Sequence, residues 1–267
     1  MDSAGYTTAL GQTLVATYRT ASEREITLLA AAFAYYAFVS LVPIVLLALV
    51  VGSLLGGEEV AERLVLIAGD FLPEAGEELL TEALTTEAGR AQATVVALVV
   101  STWGALKVFR GLSVAFDRIY GQSVEKSFAK HLVDGAAVLV AIVGGLALMI
   151  GLGVLIRIAA DVVPFGGLLG WLGLFVGLVL VFLPVYYLLP PVEVEFTTIV
   201  PGAVFAAVGW TALQIGFQLF ADNASQYEAY GAIGGVILFV TWLYFAGIII
   251  LLGAALNVVR AGHEPPK

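Results

Sequence analysis

Along this chain the charged residues fall in short clusters, and between them run six long stretches that contain none. They lie from Glu25 to Glu58, Arg90 to Lys107, Asp134 to Arg157, Asp161 to Glu193, Glu195 to Asp222 and Glu228 to Arg260. A helix needs about 20 mainly apolar residues to cross a ~30 Å hydrocarbon core. Five stretches qualify, and the second must recruit residues 107–109, with Lys107 snorkelling to the interface. Lipid offers no partner for backbone N–H and C=O groups, and the stretches lack the ~10-residue alternation of barrel strands. The pattern therefore predicts an all-α polytopic membrane protein: one membrane domain over 1–267 with spans at 28–55, 91–109, 135–156, 168–189, 197–221 and 232–257. The first stretch far exceeds the 7–15 residues of a signal-peptide core, so it is expected to remain as an anchor.

The segments between spans carry patterns of their own. In 58–90, nine acids accompany two arginines, yet Val60, Leu64, Ile67 and Phe71, then Leu79, Leu80, Ala83 and Leu84, recur at helical spacing. This reads as two short amphipathic helices broken near Pro73, docked on the protein rather than on anionic lipid, with a solvated acidic loop as the alternative. From Lys107 to Asp134, which includes the basic segment 110–133, Val108, Leu112, Ala115, Phe116 and Ile119 form one stripe. The second span is therefore expected to continue as an amphipathic helix ending near Gly121.

Composition and charge narrow the function. With 60% hydrophobic and 12% charged residues, the chain has too much apolar surface for a water-soluble fold. A net charge of −9 lacks the basic face that nucleic acid requires. Placing the N-terminus in the cytoplasm puts Arg19, Arg24, Lys107, Arg110, Arg118, Lys126, Lys130, Arg260 and Lys267 inside, against Arg63, Arg90 and Arg157 outside. The positive-inside rule thus predicts a plasma (inner) membrane protein with both termini cytoplasmic, the acidic segment external and the basic segment cytoplasmic. Cysteine is absent, which excludes disulfides and thiolate chemistry.

Candidate chemistry is sparse, since no formal charge lies deep in a span and ion-coupled or proton-relay paths usually need one. Tyr36 and Ser40 share a face of the first span, where Pro43 would kink the helix. They read either as cavity lining or as ordinary packing. Trp210, Gln214 and Gln218 follow at i, i+4 and i+8, a polar edge expected to face the bundle interior because an amide in lipid must find a partner. Tyr230 and Gly231 mark the outer end of the sixth span, and Asn257 lies near its inner end, placed to cap it or bond a neighbour. Together these are the candidates for lining a cavity, with Tyr36 and Ser40 expected to meet Gln214 across it. Glycines spaced by four, Gly166 with Gly170 and Gly173 with Gly177, read as packing positions.

Ala31 to Ala37 with Ser40 and Pro43, Gly202-Ala203 with Trp210, Tyr230-Gly231, Trp242-Leu243-Tyr244, and Gly253-Ala254 with Leu256-Asn257 resemble the YihY/BrkB family of inner-membrane proteins from about Glu25 to Val259. The resemblance implies a six-helix fold; members have been labelled virulence factor, transporter and, in older naming, ribonuclease BN. Ala255 stands where the family typically has glutamate, which argues against a mechanism needing that carboxylate, and Asp117 stands where it often has asparagine. A metal-dependent nuclease needs clustered His and carboxylate ligands, whereas His131 and His263 stand alone, and protease motifs are missing. No catalytic residue, metal, cofactor or nucleic-acid partner is therefore expected. The leading expectation is a membrane transporter or lipid-handling permease for a neutral or amphipathic solute, with lipid as its surroundings. The alternative is a non-transporting scaffold that organises envelope components.

Overall fold

The computed structural model describes residues 3–41, 87–122, 166–222 and 231–262, with separate helical positions at 133, 135–138, 140, 144–145 and 151. Among these residues there is no strand. The helices are α1 Ser3–Glu23, α2 Ile26–Leu41, α3 Glu87–Tyr120, α4 Gly166–Leu188, α5 Phe196–Asp222 and α6 Gly231–Arg260. The all-α expectation holds. Among the described residues three helices are long and apolar enough to cross a membrane: Leu98–Tyr120, Phe196–Phe220 and Gly234–Arg260. The bent pair Gly11–Glu23 and Ile26–Leu41 makes a fourth if counted as one span, and Phe175–Leu188 is apolar but shorter. Nearly all of the amphipathic pattern about Pro73 and most of the expected span at 135–156 lie outside the described residues.

The chain divides into two compact units, Tyr35–Val108 and the remainder. In the larger unit, α5 and α6 pair antiparallel: Gly202 meets Gly253 and Asn257, Gly209 meets Ile249, and Trp210 meets Trp242. Helix α4 packs on α5, and α1 packs on α6. The core fills with Phe116, Ile119, Tyr186, Leu189, Ile199 and Leu251, around alanines that let the helices approach. Small residues suit this role because lipid supplies no hydrophobic drive for helices to associate, leaving close packing and hydrogen bonds to hold them.

Helix ends follow from local chemistry. Helix α3 ends where Gly121 takes φ 69°, and Gln122 N–H bonds Asp117 O at 3.1 Å, closing the last turn in a Schellman arrangement. The stripe expected from Val108 to Ile119 is here: Leu112, Ala115, Phe116 and Ile119 are all buried. Between α1 and α2 the axis turns by 63°. Glu25 makes the turn with φ 53°, and its carbonyl accepts from Leu28 and Leu29 N–H. Its carboxylate lies 3.8 Å from Arg118 on α3, with both side chains mostly exposed, so the pair adds little stability.

In the smaller unit, Ser40 donates a 3.0 Å hydrogen bond to the Gly104 carbonyl. A Cβ at Gly104 would come within 3.0 Å of that hydroxyl, so glycine there allows the approach of α2 and α3. Lys107 lies 3.7 Å over the Trp103 ring.

Candidate functional site

Helix α5 carries two contrasting surfaces, and its sequence sets both. Near its start Pro201 lacks an N–H and strains the preceding turn. At the next residue, Gly202 N–H is received by Asn257 Oδ1 at 2.7 Å, and Asn257 Nδ2 donates to Ile199 O at 3.2 Å. Asn257 thus engages the backbone of a neighbouring helix at both ends of its amide while only 2% exposed. A Cβ on Gly202 would fall 2.5 Å from Gly253 O, and one on Gly253 would fall 2.9 Å from Gly202 O. Tyr186, fully buried two residues after Pro184 in α4, closes the arrangement by donating to Ile250 O at 2.8 Å and resting against Phe116. Two glycines therefore permit the crossing, and two polar side chains fix its register.

Two turns further along α5 the character changes to aromatic. Trp210 contacts Phe182 of α4 at 5.8 Å and Trp242 of α6 at 5.1 Å between ring centres, and Trp242 also meets Phe217 and Phe239. Edge-on rings at these separations are favourable beyond their buried area. Gln214 and Gln218 lie beside this cluster, and both are exposed. Their expected place in the bundle interior is not what the structure shows. Each step of four residues advances 40° around a helix of 100° per residue, so the row that begins at half-buried Trp210 winds outward. The inward stripe alternates steps of four and three instead, through Ile199, Ala203, Ala206, Trp210, Leu213 and Phe217. Thr211 bonds its own helix at Ala207 O.

The other candidates divide among these settings. Tyr36 is half-buried against Tyr35, and Ser40 takes its partner from Gly104. Gly231 opens α6, while Pro43 and Tyr230 lie outside the described residues. Asn257 belongs to the helix crossing, and Trp210 to the aromatic cluster. Tyr186 was not among the candidates, and its signal was faint: an aromatic residue beside a helix proline in a segment otherwise rich in Leu, Val and Gly.

A family model described as Virulence factor BrkB matches residues 17–267. The UPF0761 membrane protein PSHAa0171 of Pseudoalteromonas translucida is 30% identical over 244 residues, covering 87% of this chain and 80% of that protein. The ribonuclease-like protein YfkH of Bacillus subtilis is 36% identical over 83 residues, which is 31% of this chain and 30% of YfkH. A UPF0761 membrane protein of Aeromonas salmonicida is 32% identical over 89 residues, 33% of this chain and 31% of that one. The chain thus matches less than a third of the length of the last two. No solved structure matches it.

Proposed function

We propose, from the premise that this chain belongs to the BrkB family of membrane proteins, that it is a transporter or lipid-handling permease for a neutral or amphipathic solute. The observation that carries the reading is the exposed edge of Gln214 and Gln218 beside the Trp210–Trp242 aromatic cluster. An amide left unpaired in hydrocarbon costs several kcal/mol, so an exposed pair on an apolar helix favours contact with polar groups there. Rings next to amides suit a molecule with both an apolar body and a polar end. The six charge-free stretches and the nine-to-three division of basic residues support six spans with both termini cytoplasmic. The absence of formal charge deep in those stretches favours an uncharged or lipid-like cargo over an ion.

The test is flux through purified protein in vesicles, using a fluorescent phosphatidylethanolamine scored by dithionite quenching and a small neutral sugar scored by efflux. Wild type is expected to move one of them, and Gln214→Leu to lower that rate at least several-fold with thermal stability changed by less than ~0.5 kcal/mol, as for a surface site. Equal rates in protein-free vesicles would favour the scaffold reading. We further propose that the chain is not a nuclease: purified protein should leave tRNA precursors intact with any divalent metal, and cleavage abolished by His131→Ala would refute this.

A further inference from the structure

We infer that α1 is an in-plane helix seated at the headgroup–acyl boundary of the bilayer, with one face docked on the bundle and an adjoining face turned into lipid. The inference does not depend on transport. From Gly11 to Glu23 the helix sorts its residues into three arcs. Thr13, Ala16, Thr17, Thr20 and Ala21 form the inner arc, buried or half-buried, and Thr17 is 8% exposed with its hydroxyl bonded to Thr13 O. These small side chains let α1 lie close on α6. The second arc is apolar but for exposed Ser22 at its C-terminal end, and is turned outward: Leu14 is 57%, Val15 66% and Tyr18 75% exposed, and a Cβ at Gly11 would meet nothing within 4 Å. The third arc holds Gln12, Arg19 and Glu23, all exposed.

A helix docked by one face, with apolar and polar arcs side by side on the rest, matches a boundary between oil and water rather than either alone. Arg19, which begins the polar arc beside Val15, suits headgroup level, where a guanidinium on an apolar stem can satisfy both sides. The composition opposes a spanning role, since Gln12, Thr13, Thr17, Arg19, Thr20, Ser22 and Glu23 all fall within this one segment. Its direction agrees. If α2 crosses at the usual ~20° tilt, a 63° bend places α1 at roughly 43–83° from the bilayer normal, beyond the range of spanning helices. Leu28, on the first turn of α2, is a further apolar side chain left exposed next to the bend.

The absence of native cysteine makes the test direct. Single variants Gln12→Cys, Leu14→Cys, Tyr18→Cys and Arg19→Cys, all at exposed positions, are spin-labelled in the full-length protein and reconstituted in phosphatidylethanolamine–phosphatidylglycerol vesicles. Accessibility to oxygen and to a water-soluble nickel chelate is then compared. Labels at 14 and 18 should favour oxygen, at a common depth of about 5–10 Å below the phosphates. Labels at 12 and 19 should favour the chelate by several-fold. A depth that grows steadily from 12 to 19 would overturn the inference in favour of a spanning or re-entrant segment. Shielding of 14 and 18 from both reagents would overturn it in favour of a protein partner, such as a second copy, covering this face.

Discussion

Asn257 and Gln214 are both amides in apolar helices, yet they should behave oppositely when replaced. Asn257 is buried and holds Gly202 N–H and Ile199 O, so Asn257→Leu strips two buried backbone groups of these partners. Leaving a buried polar group unsatisfied costs about 1–3 kcal/mol, although interhelical hydrogen bonds in membranes average only ~0.6 kcal/mol. The expected loss is therefore about 1–2 kcal/mol, read as a lower unfolding midpoint in detergent. Gly202→Ala should cost at least as much, because its Cβ meets Gly253 backbone that cannot swing away as a side chain would. If Asn257→Leu proved as mild as Gln214→Leu, the crossing would not depend on its amide. Sequence alone singled out both residues, because amides are conspicuous among Leu, Val and Ala. It could not tell them apart, since the difference is whether another helix backbone lies opposite.

Between α1 and α2 the bend rests on one residue in an unfavourable conformation. A side chain in the left-handed region brings Cβ against the following carbonyl and costs roughly 1–2 kcal/mol. Glu25→Gly should relieve that strain, offset in part by the greater freedom of glycine in the unfolded chain, and leave stability equal or up to ~1 kcal/mol higher. Glu25→Val, branched at Cβ, should lower it by about 1–2 kcal/mol. Thermal inactivation in detergent measures both, and equal midpoints would show that the bend is held elsewhere. Helix α3 illustrates the opposite case, in which the element was readable in advance. The stripe from Val108 to Ile119 and the glycine at 121 foretold a helix that continues past the second charge-free stretch, and both features act as expected in the structure. The turn at Glu25 gave no such sign, because glutamate is a good helix former and neither glycine nor proline marks it.

For the whole molecule, the proposed topology has α3 crossing the bilayer. At 1.5 Å per residue its 34 residues amount to about 51 Å of helix, more than the ~30 Å hydrocarbon thickness requires. Gln92 near its start and Gln122 just past its end, both exposed, should therefore lie on opposite sides. Under the proposed orientation, with both termini cytoplasmic, Gln92→Cys should react with an impermeant thiol reagent from outside intact cells, and Gln122→Cys only after the membrane is opened. The reverse labelling would invert the orientation, and labelling of both from outside would mean that α3 does not cross.

Membrane class, helical class and family were determined by the sequence alone, because each depends on something summed along the chain: the length of charge-free stretches, the absence of strand alternation, and motifs in a fixed order. The neighbours of each polar group were decided only by the tertiary structure. Ser40 finds Gly104, Asn257 finds Gly202 and Tyr186 finds Ile250, each across 55 residues of sequence or more. No local period encodes such pairs, since they depend on which helices come side by side and at what height. The same reason explains Gln214: its spacing from Trp210 is a property of sequence, but which side of α5 the bundle covers is a property of the packed helices.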